Sequence, residues 1–411
     1  KIQNENLDLV FGSRYEKGAN SFDDDIITRI GNYLFTLLGN LFMKLNISDL
    51  LFTYIFAKTT KLNEMNLSQN DYCLCVEIPF KTKILNFKYS TIPCVERKRV
   101  ADKKKVKAFS DGLKILIYMI LLDGKSLSQK IKHDIKYQVD SLKSNGKRPP
   151  HLVAILIGEN PASQTYVTAK KKSCEEIGFD STVIKFPVTI SQNKLINEIE
   201  KINLDDEIDG LIVQLPLPNH IDPSIVISTI CYKKDVDGFH PINLGNMMLQ
   251  QPCYFPATPM GIMSLIENYN IETNGKNCLI IGRSNIVGTP LSVLLSRNSK
   301  YANCTVTLAH SRTKDINLLT KKADIIVMAL GIPKFLKNDM IKDSVVIIDV
   351  GINRIKSDKS KSGWTLVGDV DFQSVKDKCS YITPVPGGVG PMTIISLLRN
   401  TLLSYKRVIY K

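Results

Sequence analysis

The 411-residue chain has one tryptophan, five histidines and nine cysteines, and none of these falls into a metal-ligand spacing. The closest cysteines, Cys73 and Cys75, are separated by a single residue, so no C-x-x-C redox or zinc pair is present. An odd, dispersed set of thiols predicts reduced cysteines and a cytoplasmic protein rather than a disulfide framework. Long apolar runs are also missing. A bilayer-spanning helix needs about 20 nearly uncharged residues. The most apolar early stretch, Tyr33 to Ala57, is broken by Asn40, Lys44, Asn46 and Asp49, and reads as amphipathic helices. No signal peptide is visible. The chain opens on Lys1 rather than Met, which leaves its natural start open. Acidic residues are in short supply, 40 against 54 lysines and arginines, for a net charge of +14. That excess suits anionic ligands such as dinucleotide phosphates, nucleic acid or an anionic membrane; a surface loaded with lysine and no ligand role is the alternative.

What is present changes in texture along the chain. A basic run from Arg97 to Lys107 reads as a solvated face or a contact for lipid phosphates, and Leu113 to Leu122 reads as an apolar helix. From Met119 onward, short apolar runs alternate with helical periodicity. His151–Gly158, Gly210–Gln214, Cys278–Gly282, Thr305–His310, Asp324–Ala329 and Val345–Val350 read as strands, and Ser163–Ile177 as a helix. This is the pattern of a parallel sheet in a doubly wound α/β fold.

Cys278 to Pro290 (CLIIGRSNIVGTP) is a strand, a glycine turn and a helix start. Gly282 and Gly288 let the backbone approach a pyrophosphate, Ser284 lies in the turn, and a helix N-terminus there offers free N–H donors. The next strand runs into His310-Ser311-Arg312-Thr313. An NAD site usually has Asp or Glu near this point for the ribose 2′-hydroxyl. Here Arg283, Ser311 and Arg312 could surround a 2′-phosphate instead, which favours NADP. The alternative is that these arginines are surface residues.

Tyr166 and Lys170 are four residues apart on one expected helix and share a face, whereas Lys171 and Lys172 point elsewhere. Spacing alone does not make a lysine a catalyst. Gln214 ends a buried strand and is followed by Leu-Pro-Leu-Pro. Asp235 and Asp237 lie in a Lys-Asp-Val-Asp-Gly turn, where they could bind an amino-pyrimidine ring or act as turn caps.

Tyr-x-x-x-Lys, Val-Gln-Leu-Pro-Leu-Pro, Lys-Asp-Val-Asp-Gly-Phe-His-Pro, Gly-Arg-Ser-Asn-Ile-Val-Gly and Pro-Val-Pro-Gly-Gly-Val-Gly-Pro-Met-Thr follow in that order. Together they resemble the bifunctional methylenetetrahydrofolate dehydrogenase/cyclohydrolase family from Met119 to the end. Leu121 to Lys125 is similar to that family's usual opening. The resemblance implies a two-domain α/β enzyme with a Rossmann-like NADP domain. Folate catalysis would occupy 119–257, completed by a helix over 391–411, and NADP binding 258–383. It implies that Tyr166 stacks on folate, that Lys170 sits by the one-carbon unit and that Gln214 positions Lys170. Asp237 would hold the pterin. Val213, Leu215, Pro386, Gly387, Gly388 and Pro391 would line the substrate side, and Thr258, Gly351, Ile352 and Asn353 the cofactor side. Its substrates would be tetrahydrofolate derivatives, possibly with polyglutamate tails, and its state a homodimer without nucleic acid or a metal. Where the family often has Cys before Thr-Pro, this chain has Ala257, so a thiol is absent but no essential acid or base is lost.

Residues 1–118 have a different likeness. Leu9-Val-Phe-Gly-Ser-Arg-Tyr15, Arg29-Ile-Gly-Asn32, Ile47-Ser-Asp49, Tyr72 to Glu77 and Asp111-Gly-Leu-Lys-Ile-Leu116 resemble the C-terminal half of family 2 glycosyltransferases of the polyprenyl-phosphate type. The half that would carry their nucleotide-sugar site is missing, and Asp23-Asp-Asp25 reads as a solvated helix-start cap. A truncated glycosyltransferase-like segment is therefore expected ahead of a complete folate enzyme, with membrane contact by that segment as an option.

Overall fold

The computed structural model describes residues 5–97, except 44, 53, 66 and 68–73, and residues 121–411, except 358–362. The chain divides into two compact units, Lys1–Leu121 and Leu122–Lys411.

In the first unit, β1 (Leu9–Ser13) is wholly buried and lies between β2 (Ile55–Ala57, antiparallel) and β3 (Tyr89–Pro93, parallel). Helix α1 spans Ile26–Met43 and α2 spans Leu74–Ile84. The stretch from Tyr33 to Ala57 is therefore not all helix: it ends in β2, a strand paired with β1. The amphipathic helix within it is inverted. Asn32 and Thr36 face inward at 8 and 7 % exposure, while Ile30, Tyr33, Leu34, Leu37 and Leu41 are all more than half exposed. Asp25 caps α1 through Thr28 N at 2.7 Å, as expected. Asp24 does not: its side chain is 6 % exposed and lies 3.3 Å from the buried Arg14. Most of the Arg97–Lys107 run and of the expected Leu113–Leu122 helix lies outside the described residues, and Leu121 and Leu122 are not helical.

The second unit begins with α3 (Gly124–Ser144) and then β4 (His151–Ile157), α4 (Pro161–Ile177), β5 (Asp180–Phe186), α5 (Gln192–Leu204) and β6 (Gly210–Val213). These strands form a parallel sheet in the order β5-β4-β6. β4 is apolar because both its faces are covered. β5, at the edge, reads Asp-Ser-Thr-Val-Ile-Lys-Phe, which neither alternates cleanly nor forms an apolar run and so carries little strand signal.

After α6 (Ala257–Asn268) come β7 (Asn277–Ile281), α7 (Gly288–Ser296), β8 (Thr305–Ala309), β9 (Ile325–Met328) and β10 (Val345–Asp349). The hairpin β11 (Asn353–Lys356) and β12 (Trp364–Val367), the strand β13 (Cys379–Ile382) and the helix α8 (Val389–Tyr405) complete the chain. The second sheet is parallel, in the order β8-β7-β9-β10-β13. One hydrophobic core runs through both sheets. It takes in Leu152 and Ala154 of β4, Ile262 and Leu265 of α6, Ile280 of β7, Val327 of β9 and Leu397 and Leu398 of α8. The backbones of α6 and α8 approach closely, because a Cβ on Gly261 would lie 2.9 Å from the Met392 carbonyl carbon. These two helices, far apart in the sequence, hold the sheets together.

Candidate functional site

Helix α4 has clear punctuation. Asn160 caps it by accepting from Ala162 N and Ser163 N, Pro161 opens it, and Gly178 closes it at φ +81°. That frame sets the side-chain phase. Lys170 is 8 % exposed and Tyr166 half-buried, whereas Lys171 and Lys172 face solvent. Burial raises the Tyr166 phenol above its usual pKa, so it stays protonated at neutral pH.

At the end of β6, Gln214 Oε1 accepts from Lys170 Nζ at 3.3 Å. Gln214 is fixed in turn: its backbone N donates to Ile155 O and its Nε2 to Leu215 O, both at 2.9 Å. The Leu215–Pro216 peptide is cis. Val213, Leu215, Asp237 and Phe239 line a common pocket beside this point.

The structure separates the two aspartates of Lys-Asp-Val-Asp-Gly. Asp235 is 2 % exposed and is taken up by hydrogen bonds within the protein, although it lines the same pocket as Asp237. It accepts from His240 N at 2.8 Å, Phe239 N at 3.2 Å and Asn243 Nδ2 at 2.8 Å. Burial raises its carboxyl pKa against the pull of these bonds. Asp237 remains half-exposed and available. The loop that carries it depends on Gly238, at φ +75°, where a Cβ would come within 2.6 Å of the Phe255 carbonyl carbon. From α8, the buried Asn400 donates to Val236 O (2.9 Å) and Phe255 O (3.1 Å), tying both sides of the loop to one side chain. Sequence reasoning gave no role to Asn400 or Asn243, since an isolated Asn on a helix carries no local signal.

Pro386, Gly387 and Gly388 lead into α8, next to a cis Val385–Pro386 bond. They pack on the start of α3: Lys125 N donates to Gly387 O, and a Cβ on Gly124 would lie 1.9 Å from Gly388 O. Pro391 follows in the first turn of α8. Thr258 of α6 and Thr393 of α8 share a hydroxyl hydrogen bond of 3.0 Å. Ala257, at the position noted for a missing thiol, is 2 % exposed and packed in the core.

The nucleotide turn follows β7. Gly282 has φ +125°, and a Cβ on it would lie 2.2 Å from Ala329 O; one on Gly288 would lie 1.8 Å from Gly282 O. Both glycines clear space for the turn that starts α7. Ser284 Oγ accepts from Val287 N at 3.2 Å and caps the turn. Arg283, Ser311 and Arg312 are exposed at the ends of β7 and β8, and neither arginine has a carboxylate partner among the described residues. No acid stands at the end of β8. Two free guanidinium groups beside a glycine-cleared turn fit a dinucleotide bearing a 2′-phosphate. Gly351, Ile352 and Asn353 follow β10, two strands along from β7.

Comparison with known proteins matches residues 122–237 to the tetrahydrofolate dehydrogenase/cyclohydrolase catalytic domain, and residues 256–409 to that family's NAD(P)-binding domain. The bifunctional protein FolD of Azobacteroides pseudotrichonymphae is 54 % identical over 292 residues, which are 71 % of this chain and 100 % of that protein. The crystal structure of bifunctional FolD from Campylobacter jejuni shares 49 % identity, covers 70 % of this chain and 99 % of its own, and superposes with a TM-score of 0.66. The FolD of Trypanosoma brucei, solved with NADP and an inhibitor, shares 34 % identity, covers 71 % and 99 %, and has a TM-score of 0.67.

Proposed function

Because the chain belongs to the tetrahydrofolate dehydrogenase/cyclohydrolase family, we propose that its two reactions run at one site built on Tyr166, Lys170, Gln214 and Asp237. The protein oxidises 5,10-methylenetetrahydrofolate to the 5,10-methenyl compound with NADP and hydrolyses that product to 10-formyltetrahydrofolate. The observation that carries the site is the buried Lys170 side chain held by Gln214 at 3.3 Å, with the flanking residues Val213 and Leu215 lining a pocket together with Asp237.

Asp237 accepts from the amino-pyrimidine edge of the pterin, and Tyr166 stacks on the folate ring system. Val213, Leu215, Pro386, Gly387, Gly388 and Pro391 close the substrate side. NADP, when bound, supplies the acceptor for the hydride leaving the methylene carbon. Arg283, Ser284, Ser311 and Arg312 would hold its phosphates, with the backbone at Gly282 and Gly288. Thr258, Gly351, Ile352 and Asn353 align its other end. In the hydrolysis, water adds to the cationic methenyl carbon and gives up a proton toward Lys170. The bond from that carbon to N5 then breaks, N5 takes a proton, and the formyl group stays on N10. A lysine so placed serves as the acid–base group of the hydrolysis. The test is absorbance-monitored, NADP-dependent oxidation of methylenetetrahydrofolate by the full chain. No turnover with either NADP or NAD would overturn the reading.

We read the enzyme further as a cytoplasmic homodimer, on the family resemblance. For residues 1–118 the glycosyltransferase likeness is supported by where its motifs converge. Arg14 of the Gly-Ser-Arg-Tyr motif grips Asp49 of the Ile-Ser-Asp motif at 2.7 and 3.0 Å and also reaches Glu96 at 3.0 Å. The outward apolar face of α1 and the Arg97–Lys107 run support contact of this segment with an anionic membrane surface. None of the described helices is long and apolar enough to cross a membrane.

A further inference from the structure

β10 ends at Asp349, 3 % exposed, and Asp369 lies fully buried in the turn after β12. Neither carboxylate is neutralised by a side-chain cation among the described residues. Backbone does the work instead. Asp349 Oδ1 accepts from Gly351 N at 2.9 Å and Asp369 N at 3.0 Å, and its Oδ2 from Val370 N at 2.9 Å. Asp369 Oδ2 accepts from Leu330 N at 2.7 Å and Gly331 N at 2.9 Å, and its Oδ1 from Asn353 Nδ2 at 2.9 Å. Three segments meet in this knot: the turn after β9, the turn after β10 and residues 368–370. Its closeness depends on glycine. A Cβ on Gly351 would lie 2.3 Å from Asp369 Cγ, and one on Gly368 only 1.8 Å from Asp349 Oδ2.

Two buried carboxylates side by side are costly. Burial, with Asp369 facing it, pushes the Asp349 carboxyl up to about 7 against the pull of its N–H bonds. The position of the knot in the sheet suggests what this arrangement serves. Arg283, Ser311 and Arg312 stand at the ends of β7 and β8, whereas the knot joins the ends of β9 and β10 on the other side of β7. A dinucleotide laid across the carboxyl ends of such a sheet has one nucleotide on each half.

We propose that Asp349 and Asp369 are positioning residues for the nicotinamide end of the dinucleotide, fixing the 329–331 and 351–353 turns in the relative geometry that receives it. This rests on the assignment of Gly351, Ile352 and Asn353 to the cofactor. An amide in place of Asp349 keeps its size but turns a donor toward a backbone N–H whichever way it lies, and one in place of Asp369 sets a donor against either the backbone N–H groups of Leu330 and Gly331 or the Asn353 side-chain amide, so the two turns separate.

The test titrates two ligands calorimetrically into the full chain carrying Asp369→Asn or Asp349→Asn. NADP reaches both ends of the site; adenosine 2′,5′-bisphosphate keeps the 2′-phosphate but stops before the nicotinamide. NADP should weaken tenfold or more, the bisphosphate should stay within twofold, and methenyl hydrolysis without NADP should stay within twofold. Equal weakening of both ligands would mean a general structural role and overturn the proposal, as would NADP affinity within twofold of the parent. Should neither variant fold, the parent decides: its affinity for NADP relative to 2′-phospho-ADP-ribose, whose phosphates ionise as those of NADP do but which lacks the nicotinamide, should fall from pH 8 to pH 6 as Asp349 takes up a proton. A constant ratio counts against the proposal. A parent that binds neither ligand would sink the cofactor assignment itself, and this inference with it.

Discussion

At the scale of single residues, Lys170 is where chemistry and packing are hardest to separate. It is buried, yet its one described side-chain hydrogen bond is a neutral amide, Gln214. A lysine held this way is fixed in place by Gln214, and its removal should be felt in hydrolysis first. Lys170→Met should lower methenyl hydrolysis by roughly 10²–10⁴-fold while NADP affinity stays within about twofold; wild-type hydrolysis by the variant would contradict the assignment. At the other end of the site, Arg312→Asp should weaken NADP and spare NAD, since a carboxylate repels the 2′-phosphate but accepts from a ribose hydroxyl. Unchanged preference between the two cofactors would remove Arg312 from the site. Asp349 gives a pH dependence. Its folded pKa of about 7 lies above the ordinary aspartate value of about 3.9. Its contribution to stability is therefore complete below about pH 4 and is lost as pH rises through 7. Thermal unfolding of Asp349→Asn should gain on the parent across that interval, and parallel curves would contradict the shift. Of these residues, the burial of Lys170 was legible from helical phase, while its role rests on the family resemblance, and Arg312 was singled out by a missing acid. Asp349 was not, because at the end of an apolar run it looks like a strand terminus.

Among the elements, the core strands were read within a residue or two of their bounds, since strands covered on both faces are nearly continuous apolar runs. β5, β13 and the β11–β12 hairpin were missed: each is an edge or surface piece whose signal is diluted by lysine, serine and aspartate. The loop bearing Asp237 shows the same limit at the site. Its motif is plain, but its shape is set by Asn400, some 160 residues away in α8. Asn400→Ala should strand two buried carbonyls, lowering stability by about 1–3 kcal/mol. It should also raise the folate KM more than the NADP KM. A variant that loses stability with both KM values unchanged would leave Asn400 a core residue and nothing more.

For the whole molecule, the question is whether residues 1–118 take part in folate chemistry. The relatives reach 98–100 % of their own length using only about 70 % of this chain. The family matches begin at residue 122, and the second compact unit begins at Leu122. Every side chain assigned above to folate or NADP lies in that unit, whose core is continuous from α3 to α8. The first unit keeps its charges inward around Arg14 and its leucines outward on α1. That is the reverse of what a water-facing helix needs, and it is intelligible for a face that packs against a partner or lies on lipid. No sequence periodicity distinguishes an apolar stripe facing in from one facing out; only the packed neighbours do. A chain starting at Met119 should therefore catalyse both folate reactions within a few-fold of the full chain and keep the same oligomeric state by sedimentation. A loss of activity or a change of oligomer on truncation would show that the leading segment is integrated into the enzyme. Co-sedimentation with anionic liposomes then separates the two remaining roles: binding by the full chain but not by the truncated one makes the segment a tether, and binding by neither makes it a remnant.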